Sequence, residues 1–432
     1  MTLSTIRAAR QALAAGTTTP AALAEPALER ANGNAGCNTY LWRDPAWTMS
    51  EAARATAVSR TTGGCFGDGR SNLWGLPVSL KDCFDLAGSP TSAGVKFYRD
   101  LNGNVAHDSW LVEQLRKAGA VITGKTHMHP LAYGITGENP EFGDCEQPGN
   151  PGALTGGSSS GAAASILEGS ALAAIGTDTG GSVRAPAALC GLAGYRASIG
   201  RGDWRGGAHL AQSFDTMGWL FRDLEDAPLL GDIFVPGGSR AAHEFKKFAV
   251  VHDELLDDCE PAIADSLHAA TSELEAIGLA GQTIDVGWWA SSFEIYAPIQ
   301  AWEAAQIHAG NFDKFPQVIR ERLEWGARIS AAELATFRKR HAEFRSRLDD
   351  LLHEYELIIL PATPVARLDI GADNSQVRLK ILRYTTPFSL GGVPVVTIPY
   401  RVGGMQLAAA RENDESLLGL AASIGAQRRH AR

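Results

Sequence analysis

Apolar positions along the chain change period twice, and the changes outline its organisation. Thr19 followed by Pro20 has the form of an N-cap and first helical residue, which predicts a helix to about Arg30, and Met49 to Ala57 reads as a second one. The short apolar run Leu76-Pro77-Val78-Ser79-Leu80 has strand character. A Gly/Ser/Pro loop follows, then a helix capped near Asp108 with Trp110, Leu111 and Leu115 on one side, then a strand at Ala120-Val121-Ile122-Thr123. Ala162 to Leu167 predicts a small-residue helix, and Ala171 to Ile175 is a hydrophobic support for the loop after it. Strands alternating with helices predict an α/β layer structure.

Between about Pro236 and Tyr355 the pattern is mainly helical. Ile263, Leu267, Ala270, Leu274 and Ile277 recur at helical steps, and Asp257 and Asp258 near the start favour the helix dipole. Strand patterns return at Leu357 to Leu360, Val393 to Ile398 and Met405 to Leu407. Neither a repeat nor a low-complexity linker separates these parts, so a single domain over 1–432 is expected, with N-terminal helices at 1–60, a core at 70–225, a variable helical insertion at 236–355 and the rest of the core at 356–425.

Composition narrows the function classes. With 45% hydrophobic and 20% charged residues the chain is ordinary for a globular protein. A net charge of −9 argues against a nucleic-acid surface; the basic cluster Arg428-Arg429-His430-Arg432 reads as a frayed tail. No apolar run approaches the roughly 20 residues of a membrane span. The start, Met1 to Arg7, lacks the apolar stretch of a signal peptide. Six cysteines (Cys37, Cys65, Cys83, Cys145, Cys190, Cys259) without a C-x-x-C pair disfavour zinc ribbons and disulfides and fit a reducing cytoplasm.

Three motifs invite a chemical reading and lack its context. Gly119 to Thr126 satisfies the phosphate-binding expression G-x-x-x-x-G-K-T, with Lys125 as the phosphate lysine, but its variable residues form the apolar strand itself instead of a loop between strand and helix. His127 and His129, two apart after a strand, could share a catalytic metal ion, though no other histidine spacing completes a ligand set. Gly157-Ser158-Ser159-Ser160-Gly161 matches a nucleophile elbow centred on Ser159, yet a loop precedes it where an elbow requires a strand.

A fourth arrangement is chemically complete. In Asp178-Thr179-Gly180-Gly181-Ser182 the two glycines let successive N–H groups converge beside the Ser182 hydroxyl, where they can stabilise an oxyanion; the same residues also suit a Gly-rich turn capping a helix at Ser182. A serine needs a base, and Lys81, at the end of an apolar strand, can serve once burial lowers its pKa; a lysine so placed, taken alone, is more often a solvated strand end.

Trp74 to Asp82, Gly124 to Met128, the Gly156 to Gly161 and Gly176 to Arg184 loops, Pro186 to Gly191, Ser213 to Trp219, Thr385 to Leu390 and Asn413 to Leu418 together resemble the amidase signature family. The resemblance spans roughly 70–225 and 355–425 and is far more specific than any single serine motif. It implies a mixed, twisted central sheet with helices on both faces and a Ser–cis-Ser–Lys hydrolase. In that scheme Ser182 is the nucleophile, Ser158 the bridging serine in cis linkage to Gly157, and Lys81 the base. The N–H groups of Thr179, Gly180, Gly181 and Ser182 form the oxyanion hole, and neither metal nor organic cofactor takes part. Ser160 stands where many members have glycine, as in the indole-acetamide hydrolase branch, and Pro130 replaces an acidic residue.

By the same resemblance Leu131, Tyr133 and Gly134 border the substrate, an aryl or alkyl amide, with carbamate (urethane) and ester cleavage as side activities. Trp288, Trp289, Phe293, Tyr296 and Trp302 are dense enough to line a mouth for it or to form helix packing. A cytoplasmic protein acting on a small molecule, without nucleic acid or membrane span and compatible with a homodimer, is the expectation. A metal-dependent hydrolase using His127 and His129, or a transamidation or binding subunit without turnover of its own, are the competing readings.

Overall fold

Eleven strands form one sheet: β1 (Tyr40–Trp42), β2 (Pro77–Lys81), β3 (Val121–Thr126), β4 (Ala173–Asp178), β5 (Ala193–Arg196), β6 (Thr216–Phe221), β7 (Lys247–Val251), β8 (Ala280–Ile284), β9 (Leu357–Pro361), β10 (Val395–Pro399) and β11 (Gly404–Ala409). The computed structural model describes residues 5–61, 72–234, 243–252 and 254–430; Met1 to Ser4, Cys65, Pro236 and Arg432 lie outside the described residues. The strand order is β1-β3-β2-β4-β6-β5-β10-β11-β9-β7-β8. Strands β3, β2 and β4 run parallel, as do β9, β7 and β8, and antiparallel pairs join these blocks, so the sheet is mixed. Every residue of β2, β3, β4, β5, β6, β9 and β11 is buried. Burial at both strand parities means that both faces are covered, which is why these strands read as continuous apolar runs without alternation.

The Thr19-Pro20 start behaves as its chemistry demands: the Thr19 side chain accepts from the Ala22 N–H and the helix runs Pro20–Gly33. The next prediction shifts by one residue. Ser109, not Asp108, caps the helix Trp110–Lys117, accepting from Val112 N–H, while Asp108 accepts from Ala87 N–H and pairs with Arg116 at 2.7 Å. Leu111, Val112 and Leu115 form the buried face and Trp110 stays half-buried.

The 236–355 region is not purely helical. It carries the helices Pro261–Ala276, Ser292–Ile307, Gln317–Ala327 and Ala331–Tyr355, but it also supplies β7 and β8, which extend one side of the sheet. The first four residues of β8 are exposed, so this edge strand shows no apolar run. Asp258, ahead of the helix Pro261–Ala276, takes Arg383 Nη2 at 2.5 Å and lies 3.5 Å from Lys380, tying this region to the helix Ser375–Gly391. The basic cluster near the C-terminus is no frayed tail. Helix Asp414–His430 holds Arg428 in a bidentate pair with Glu273 (2.6 and 2.8 Å), and Arg429 reaches Glu225 at 2.7 Å. The five described cysteines are free thiols.

Candidate active site

Because β2 and β4 are parallel neighbours, their C-terminal ends bring Lys81 beside the loop that leaves β4 at Asp178. The Lys81 side chain is completely buried. Its Nζ lies 2.7 Å from Ser158 Oγ, 3.0 Å from Ser159 Oγ and 2.7 Å from Thr177 Oγ1. Burial pushes the amine down from 10.5 to about 8, the carboxylates of Asp178 and Asp215 holding back a larger fall. The serines come from the turn into the helix Ser160–Glu168, and the Gly157–Ser158 peptide is cis. Gly161 is required for close approach: a Cβ there would lie 2.1 Å from the Thr39 carbonyl oxygen and 2.4 Å from His127 N.

Asp178 organises the second loop. Its carboxylate accepts from the N–H groups of Gly181 (2.9 Å), Val183 (3.1 Å) and Arg184 (3.3 Å) and pairs with the guanidinium groups of Arg184 (2.9 Å) and Arg196 (2.8 Å). Burial alone would raise its pKa; the two arginines override this and hold the carboxyl far below its usual range. Gly181 N–H is committed to Asp178, whereas those of Thr179, Gly180 and Ser182 have no acceptor among the described residues. Asp215 fixes the other flank, accepting from Thr179 Oγ1 at 2.7 Å and contacting His209 Nδ1 at 2.9 Å.

Ser182, 4% exposed, borders a cavity of about 20 Å³ together with Tyr133, Gly134, Thr179, Gly180 and Tyr296. Leu131 does not share it. With left-handed φ values of 53° and 56°, Leu131 and Ala132 turn the chain so that Leu131 lines a separate cavity of about 180 Å³ with Cys83, Met128 and His209. Of the insertion's aromatic cluster only Tyr296 reaches the Ser182 cavity. Trp289 packs on Phe388, Trp288 on Phe344 beneath Arg347, and Trp302 under Arg338, which makes them core and surface packing.

The motifs without context have structural employment. Lys125 is buried, 2.7 Å from Asp82 and donating to Pro90 O and Thr91 Oγ1. His127 Nε2 is 2.8 Å from the Gly143 carbonyl oxygen, and burial pushes its pKa down to about 4. Among the described residues no group of three or more His, Cys, Asp or Glu is placed to hold a metal ion. Ser159, instead of standing out as an elbow, contacts Lys81 Nζ and sits 3.3 Å from both Thr177 O and Thr177 N. Sequence reasoning missed Thr177, whose one signal was its place in the Gly176 to Ser182 loop, and the Arg184–Asp178–Arg196 cluster.

The Amidase family model matches residues 22–418. The chain belongs to the amidase family. This amidase is 30% identical to the indoleacetamide hydrolase of Pseudomonas savastanoi, over 97% of this chain and 96% of that protein. It is 29% identical to the 2-amino-5-chloromuconic acid deaminase of Comamonas testosteroni, over 82% of each. A crystal structure of an amidase superposes with a TM-score of 0.88 at 29% identity, covering 98% of this chain and 99% of that one. The protein is a serine-dependent hydrolase of amide C–N bonds, and no described helix is long and apolar enough to cross a membrane.

Proposed function

We propose that this amidase hydrolyses a small amide with an aryl or alkyl acyl group through an acyl-enzyme on Ser182, with Lys81 as base and Ser158 as the proton bridge. The observation that carries the reading is the buried Lys81 amine, lowered to about 8 and 2.7 Å from Ser158 Oγ. Neutral Lys81 takes the Ser158 proton while Ser158 takes that of Ser182, whose Oγ bonds to the amide carbon. The free N–H groups of Thr179, Gly180 and Ser182 receive the oxyanion. Collapse breaks the C–N bond, and the proton returns through Ser158 to the leaving amine. Water, deprotonated by the same relay, then releases the acid. The step requires only a polarised carbonyl and a leaving group that can be protonated, so carbamates and esters fall within reach. Similarity to an indoleacetamide hydrolase supports an aryl acyl group, for which Tyr133 and Tyr296 provide walls.

Reaction with a fluorophosphonate followed by peptide mapping tests the nucleophile. A single adduct on Ser182, unaffected by chelators, is expected; an adduct on Ser159, or chelator-sensitive hydrolysis without an adduct, defeats the proposal. The pH profile tests the base. A lysine at about 8 is roughly one-tenth neutral one unit lower, so kcat/KM for a neutral amide should rise about tenfold from pH 7 and level off above the midpoint. A flat profile between pH 6 and 9 rejects Lys81 as the base.

A further inference from the structure

Among the residues bordering the Ser182 cavity, Arg378 bears the only formal charge. Its buried Nε has no acceptor, and no carboxylate among the described residues pairs with it. Its neighbours are the neutral phenols of Tyr133 and Tyr296 and the guanidinium of Arg322. Arg196 Nε also lacks an acceptor, but Arg184 and Arg196 both form ion pairs with Asp178, whereas Arg378 has none among the described residues. Arg378 also sits in the first turn of helix Ser375–Gly391, where the helix dipole disfavours a cation. From the facing helix Gln317–Ala327, Arg322 adds a second positive charge, donating to the Tyr133 carbonyl at 2.5 Å and lying over the Tyr133 ring.

Arg378 is common to the Ser182 cavity and to an outer groove of about 850 Å³ that Arg322 also lines. Four carboxylates also stand on that groove, Glu138, Glu141, Asp144 and Asp373; each is held by neutral donors (Thr136 and Asn374, Lys96 N–H, Asn139 N–H and Ser375 N–H, respectively) and none forms an ion pair with Arg378. A half-buried guanidinium whose buried Nε lacks an acceptor gains from a ligand that supplies one, and its planar fork suits a carboxylate.

We propose that Arg378 binds a carboxylate on the substrate, so that the amide cleaved at Ser182 is the monoamide of a small dicarboxylic acid, its hydrocarbon spacer lying against Ile135 and Leu382. The inference rests on Ser182 being the nucleophile. Its test compares kcat/KM for butanamide against succinamate, and for phenylacetamide against its para-carboxylate, in wild type, Arg378→Gln and Arg378→Lys. Wild type should favour the acid in at least one pair by tenfold or more. Arg378→Gln should lower that ratio roughly 10- to 100-fold, mainly through KM, and Arg378→Lys should retain part of it. Equal use of acid and neutral amide by wild type, or an unchanged ratio in Arg378→Gln, overturns the proposal. If no pair turns over while fluorophosphonate still labels Ser182, protection against labelling by succinate must appear in wild type and vanish in Arg378→Gln; its absence overturns the carboxylate site alone. Loss of labelling at Ser182 overturns the nucleophile assignment first.

Discussion

Replacing Lys81 by methionine should lower kcat by about 10²- to 10⁴-fold, the range that a positioned proton-transfer group contributes. Methionine matches the lysine stem in length and apolarity, so the site keeps its packing and loses the amine. Three hydroxyls, on Ser158, Ser159 and Thr177, lose a shared partner. Removing the buried amine also removes its desolvation penalty, and these opposing effects should leave stability within about 1–2 kcal/mol of wild type. Stopped-flow acylation with an activated ester, alongside urea unfolding, separates the two readouts. Wild-type acylation across pH 6 to 9 in Lys81→Met would end the case for Lys81; a rate loss matched by unfolding would make it structural.

Arg184→Met carries the largest expected stability change. The Arg184 side chain donates to Asp178 through Nε and Nη2, to Thr385 O and Gln406 Oε1 through Nη1, and to Ser389 Oγ through Nη2. It thus ties the loop holding Ser182 to the helix Ser375–Gly391 and to β11. Removing one partner of a buried charge network leaves the remainder uncompensated, at about 3–5 kcal/mol. Against a typical total of about 5–15 kcal/mol this is a large fraction. The Asp178 carboxyl should titrate at higher pH, since only Arg196 and the loop N–H groups would then oppose its burial. A urea midpoint within error of wild type would refute this view of the cluster. Arg184→Met combined with Asp178→Asn should recover part of the loss, because the orphaned charge is gone.

Much of the central sheet could be read along the chain because its strands are short, apolar and bounded by Gly and Pro. Leu76 to Leu80 anticipates Pro77–Lys81, and Leu357 to Leu360 anticipates Leu357–Pro361, each within a residue or so. The exposed residues of β8 gave no such signal, since an edge strand is held by backbone pairing with β7 that no side-chain pattern announces. The capping shift from Asp108 to Ser109 has the same origin: both residue types cap well, and the distant partners Ala87 and Arg116 claim Asp108.

Within the site, the clustered glycines and serines marked the Gly156–Gly161 and Gly176–Arg184 loops as chemical, because that composition suits exposed N–H groups and hydroxyls more than a core; the bridging role of Ser158 came from the family resemblance. Lys81, by contrast, was ambiguous between a solvated strand end and a base. Local order already placed it at the end of an apolar strand; its complete burial and its fall to about 8 come from the Ser158 loop and from Thr177 on β4 closing over it, residues 77 and 96 positions away. Gly181's commitment to Asp178 and Leu131's turn toward a second cavity likewise depend on charges and walls contributed from afar. Motif spacing reports which groups are available for chemistry. Their protonation, and which N–H groups remain free, depend on desolvation and on hydrogen-bond competition, and both are settled by segments remote in the chain.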